Sequence, residues 1–142
     1  MNKDLWILVC THGKFGEELI KSAEMIAGSV ENVYSFSLVL GMSPEEYQNE
    51  IESVLKRAPS EVLCLVDLFG GTPSNTCACL SRKYEMGIIS GLNLAMYIEI
   101  TSQKKNYELN DLIECGLVTL KDSGRNVIDF LTTGKEGGKN VD

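Results

Sequence analysis

The 142-residue chain contains a single histidine, His12, in the stretch Thr11-His12-Gly13 that follows the apolar run Leu5-Trp6-Ile7-Leu8-Val9-Cys10. A neutral imidazole is nucleophilic through one ring nitrogen, and a carboxylate bonded to the other N–H fixes its tautomer and orientation. The candidate carboxylate is Asp67, at the end of a second apolar run, Glu61–Leu68, "EVLCLVDL". No serine or cysteine nucleophile stands in an elbow beside the histidine, since Cys10 belongs to the strand. The imidazole is therefore read as the nucleophile itself. Behind Asp67 comes the turn Phe69-Gly70-Gly71, and Thr72-Pro73 opens a helix. Helix N-termini favour phosphate through free N–H groups and dipole, and glycine lets backbone approach closely. Gly70, Gly71 and Thr72 on one side, and Gly13 on the other, are the expected phosphate-binding groups. There is no carboxylate cluster for magnesium and no Walker motif. That suits phosphoryl transfer between imidazoles, where no pyrophosphate leaving group needs a metal.

Each feature has a plainer reading when taken singly. A histidine at a strand end is commonly a structural hydrogen-bonder, a Gly-Gly turn serves any short βα loop, and Thr72-Pro73 is first of all a helix start. What sets these residues apart is the place where the fold brings them together.

The elements alternate. Leu5–Cys10 is continuously apolar and reads as a strand buried on both faces. Phe15, Leu19, Ala23, Ile26 and Ala27 recur at helical spacing, and Gly28 is a natural stop. "VYSFSLVL", Val33–Leu40, reads as the second strand. Ser43-Pro44-Glu45-Glu46 forms a capping box that starts a helix running to about Lys56-Arg57. Glu61–Leu68 is the third strand, and the helix from Thr72 reaches about Tyr84. Met86–Ser90 is a short fourth strand, and a helical stretch follows near Leu94–Ile100. Lys104–Tyr107 reads as a loop and Leu109–Cys115 as helix. Gly116–Phe130 is ambiguous between helix and strand. The last residues, from 132, lack apolar pattern and are expected to be disordered, which leaves one domain over residues 1–131.

Repeated βα units imply an α/β, doubly wound, mainly parallel sheet, with order 2-1-3-4 the compact arrangement. In that order the switch point, where such folds bind ligands, falls between strands one and three. His12 and Asp67 close those two strands. Nothing in the strand order depends on their identities.

Bulk properties narrow the function classes. The chain is 44% hydrophobic and 23% charged, as for an ordinary soluble globule. Neither a signal peptide nor a spanning segment is read, so a cytoplasmic protein is expected. A net charge of −7 argues against nucleic acid or an anionic membrane as partner and would steer a basic partner inward. The five cysteines include no C-x-x-C pair and read as buried free thiols, so neither a zinc site nor any other metal or cofactor is expected.

At Thr11-His12-Gly13 and at Asp67-Leu68-Phe69-Gly70-Gly71-Thr72-Pro73-Ser74-Asn75 the sequence resembles the IIA component of the mannose/fructose/sorbose family of the bacterial sugar phosphotransferase system. A third family motif, usually near G-x-N-x-P-M, reads here Gly91-Leu92-Asn93-Leu94-Ala95-Met96, with alanine in place of proline. The resemblance spans about residues 5 to 130. It implies a phosphotransferase component in which phosphohistidine on the carrier HPr passes its phosphoryl group to His12. From there it moves to a separate IIB component and so to the IIC/IID membrane permease, with Asp67 orienting the imidazole. It also implies a homodimer, in which Gly116–Phe130 is available to form an antiparallel strand exchanged between subunits. Lys14, Phe15, Phe69, Asn93 and Met96 form the expected docking rim. A related acceptor is the kinase subunit of a dihydroxyacetone kinase.

Two other classes compete. A signalling receiver would be phosphorylated on Asp67, yet it needs acidic residues for magnesium where this chain has Thr11-His12. A flavin- or nucleotide-binding protein would need a hydroxyl-rich phosphate loop in place of "THGKFGEE", and Trp6 is expected to be buried in the first strand.

Overall fold

The alternation of the first strand decides the architecture. In a computed structural model, which describes residues 4–59 and 61–133, Leu5, Ile7 and Val9 join one core and Trp6, Leu8 and Cys10 another. A strand apolar at every position can only be stable with helices on both faces. β1 (Trp6–His12) is flanked by β2 (Val33–Leu38) and β3 (Val62–Val66), and β4 (Met86–Ser90) completes the parallel sheet in order β2-β1-β3-β4. This is the doubly wound arrangement expected from the sequence.

The first face is covered by α1 (Phe15–Ala27), α4 (Leu94–Gln103) and α5 (Leu109–Asp122), through Leu19, Ala23, Met96, Tyr97, Ile100 and Leu112. The second is covered by α2 (Pro44–Leu55) and α3 (Thr72–Leu80), through Tyr47, Ile51, Cys77 and Leu80. The α2 capping box forms as read: the Glu46 N–H donates to Ser43 Oγ, and the Ser43 N–H donates to Glu46 Oε1. Gly28, at φ 84°, ends α1.

Several boundaries differ from the sequence reading, each for a local reason. β1 runs on to His12, because its pairing with β2 continues to His12 opposite Leu38. β3 ends at Val66, so Asp67 is the first residue of the following turn. α3 stops at Leu80 and tightens into turns whose N–H groups return to Cys77, Cys79 and Leu80 carbonyls. Phe15 and Ile26 lie outside the core, since Gly16, Leu19 and Ala23 make the buried stripe of α1.

The segment Gly116–Phe130 is corrected more substantially. It forms no antiparallel strand: α5 carries through it to Asp122, and α6 (Val127–Thr133) follows. Gly116 is the reason α5 can sit so close, because a Cβ there would meet Ile100 Cδ1 at 2.6 Å. Leu109, Leu112, Ile113, Leu117 and Leu120 then fall on the core-facing side at helical spacing. α6 buries no residue. It includes Thr132 and Thr133, the first residues of the expected tail, while 134–142 lie outside the described residues.

Candidate functional site

His12 is the last residue of β1, and its backbone N–H donates to Asp67 Oδ2 at 2.9 Å. Its ring Nδ1 lies 2.9 Å from the same oxygen. A carboxylate is an acceptor, so Nδ1 carries the proton and Nε2 keeps its lone pair free. Two bonds from one residue to one oxygen fix both the strand end and the ring. The imidazole is 47% exposed and Asp67 only 14%, so the nucleophilic edge faces solvent over a sheltered carboxylate. Asp67 Oδ1 is buried with no hydrogen-bond partner.

Gly71 approaches the ring closely. A Cβ at Gly71 would lie 2.8 Å from His12 Cε1 and 3.4 Å from Nε2, so only glycine fits. Gly70, at φ +85°, makes the preceding turn, and its carbonyl accepts from Asn75 Nδ2 at 3.2 Å. Gly71 is itself the N-cap of α3, and no side chain caps the helix. Thr72 is thus the first helical residue, and its hydroxyl makes no capping bond. The first turn of a helix leaves N–H groups without intrahelical acceptors. Since Pro73 has none, Thr72 and Ser74 are the first-turn residues with an N–H to offer, and the Gly71 contact sets this turn against the imidazole.

Gly13 contributes differently from expectation. Its φ of 55° allows the turn after His12, but its N–H is spent on the Leu38 carbonyl at 2.8 Å. It shapes the loop and offers no donor to an anion. Thr11, passed over in the sequence reading, is fully buried, and its Oγ1 accepts the Gly16 N–H at 2.9 Å. The hydroxyl stands in for the missing α1 cap, since Lys14 at the N-cap makes no side-chain bond. An inward-facing threonine at the end of an apolar strand was the available signal.

The expected docking residues divide. Lys14 and Phe15 are exposed, and Phe69 is 84% exposed on the glycine turn. Met96 is fully buried in the α4 core, which removes it from any docking rim; the 3–4 spacing with Ile100 turns it inward. Asn93 caps α4, its Oδ1 accepting the Met96 N–H at 2.9 Å, and its Nδ2 donates to Ser123 Oγ at the end of α5. Both amide ends are thereby committed to structure. Two residues missed earlier join the exposed apolar set at this sheet end: Leu40, beyond β2, and Leu68, beside Phe69. A cleft of about 400 Å³ opens between α1 and the start of α4, lined by Phe15, Leu19, Leu92 and Leu94.

A family profile described as the fructose IIA component of the phosphotransferase system matches residues 6–115. The chain belongs to this IIA family. The fructose-specific EIIA component of Bacillus subtilis is 33% identical over 110 residues, covering 75% of each chain. The mannose-specific EIIAB component of Escherichia coli K12 is 34% identical over 96 residues, which span 66% of this chain and 30% of that longer one. Among solved structures, a phosphotransferase component EIIA from Streptococcus agalactiae superposes with a TM-score of 0.78 at 30% identity, covering 89% of this chain and 99% of the other. As a IIA protein of the fructose and mannose type, the chain has a phosphoryl-carrier role within the sugar phosphotransferase system. Among the described residues no helix is long and apolar enough to cross a membrane.

Proposed function

We propose that His12 Nε2 accepts a phosphoryl group from phosphohistidine on HPr and passes it to a separate IIB component in the cytoplasm. The observation that carries this reading is the double engagement of one Asp67 oxygen by His12, which leaves Nε2 as the free, solvent-facing nucleophile. Attack by Nε2 on phosphorus breaks the phosphorus–nitrogen bond on the donor. Positive charge that develops on the His12 ring is held by Asp67 through Nδ1–H. The phosphoryl oxygens meet the Thr72 and Ser74 N–H groups at the α3 N-terminus. Transfer of this kind is mostly positioning and electrostatics, so no general base is required. The reverse geometry serves the second step, in which the IIB nucleophile attacks the phosphoryl group on His12 and the imidazole leaves neutral.

The receiver reading is disfavoured by the same contact. Asp67 Oδ2 is occupied twice and Oδ1 is buried, which leaves no accessible carboxylate oxygen to phosphorylate. The test is incubation with Enzyme I, HPr and phosphoenolpyruvate, followed by mass mapping of the modified residue. The label is expected on His12, stable in alkali and lost in acid, and absent from His12→Ala. An alkali-labile label on Asp67 would replace this reading with the receiver. Transfer from labelled protein to a dihydroxyacetone kinase subunit, in preference to IIB, would keep His12 and change the acceptor.

A further inference from the structure

Each of the three elements that build the phosphoryl site also carries one buried thiol. β1 holds Cys10 two residues before His12, β3 holds Cys64 three before Asp67, and α3 holds Cys77 behind its N-terminal turn. The three sulfurs lie within 4.8 Å of one another, and all three residues are fully buried. The register explains the meeting. Cys64 stands opposite Leu8 and Cys10 opposite Val66, so the two are diagonal neighbours on the sheet face that α3 covers. Sequence spacing concealed this, because 54 residues separate the first pair and the third comes from a helix. The remaining thiols are elsewhere: Cys79 is exposed and Cys115 half-buried.

Metal–sulfur bonds of about 2.3 Å put three sulfurs on one ion about 3.5–4.0 Å apart, so the cluster needs only a small closure. The charge of the occupant discriminates further. Three thiolates on a monovalent or divalent ion leave net negative charge in a dry core, which is costly. The one buried lysine among the described residues, Lys104, cannot offset it, because its Nζ donates to the Leu5 carbonyl before β1 and the Glu31 carbonyl before β2. Three thiolates on a trivalent ion are neutral.

We propose that Cys10, Cys64 and Cys77 form a closed three-thiolate site for one trivalent thiophilic ion, whose binding ties β1, β3 and α3 together beneath His12. With arsenous acid the step is an exchange without redox. Three As–O bonds break, three As–S bonds form, each thiol proton leaves with a hydroxide as water, and arsenic stays trivalent. Because the thiols are covered, entry follows a local opening of the short helix α3.

The test uses the full, reduced chain with arsenite in the absence of oxygen, read by intact mass under native conditions. One arsenic per chain with loss of three hydrogens is expected, and this count needs no variant. Cys77→Ala should weaken uptake by about 100-fold, the scale on which a tethered additional bond contributes. Cys79→Ser and Cys115→Ser should bind as the parent does. The lone imidazole gives one set of ring proton resonances, and these should shift on binding. The result does not depend on which group accepts phosphate. Uptake that releases only two hydrogens would overturn the site. So would uptake unaffected by Cys77→Ala, uptake abolished by Cys79→Ser, zinc bound more tightly than arsenite, or no uptake in excess reagent. An unmoved imidazole resonance would overturn the link to His12.

Discussion

At the scale of single residues, the site turns on one carboxylate oxygen that holds both the strand end and the ring of His12. Asp67→Asn keeps the shape but presents an amide, which accepts less strongly and does not balance an imidazolium. The fold should survive, and transfer from HPr should slow by on the order of 10²-fold or more, as for carboxylates that orient histidine in triads. Stopped-flow transfer alongside a thermal melt separates the two effects; unimpaired transfer would remove Asp67 from the mechanism. Gly71→Ala probes the opposite wall of the site. Its Cβ would press on His12 Cε1 at 2.8 Å, so the ring must turn or α3 must retreat. The phosphorylation rate should fall while circular dichroism stays that of the parent. His12, Asp67 and the glycine turn were readable from the sequence because their residue types are rare or conformationally special. The loss of Gly13 as a donor was not, since it depends on the strand register that sets the Leu38 carbonyl of β2 against the turn after His12.

At the scale of elements, the sequence announced its periodicity more clearly than its ends. The continuous apolar run of β1, the capping box of α2 and the alternation of strands with helices led to the observed strand order. The segment after Gly116 resisted, because its apolar residues suit a strand or a helix equally until Gly116 meets Ile100. Thr11 shows the same limit: which buried hydroxyl caps which helix is a tertiary fact. Its Oγ1 takes the Gly16 N–H, and Thr11→Val keeps the shape but leaves that donor unpaired. The expected cost is about 1–3 kcal/mol. Denaturant titration would measure it, and an unchanged midpoint would show that the α1 entry is held by packing alone.

At the scale of the whole molecule, an acidic chain gathers exposed apolar residues at the sheet end where His12 lies: Phe15, Leu40, Leu68 and Phe69. On the function proposed above, charge would speed the encounter with a basic partner, while a water-excluding collar would hold the complex in line for transfer. These roles separate experimentally. Added salt should slow association of phospho-HPr with little change in dissociation. Phe69→Ala should speed dissociation, and the melting temperature should stay close to that of the parent because the ring is 84% exposed. A destabilised variant with normal transfer per folded molecule would place the docking face elsewhere. A second apolar surface is carried by α6, where Val127, Ile128 and Leu131 are exposed and no residue of the helix is buried. Exposed apolar residues grouped on one short helix usually mark an interface. We propose that a second copy of the chain covers it, in a homodimer formed through these helices and not through an exchanged strand. Light scattering at micromolar concentration should give twice the 15.6 kDa chain mass, falling to one chain in Ile128→Asp. A parent protein that already runs as a monomer would leave α6 without this partner, and a dimer unaffected by Ile128→Asp would move the interface off that helix.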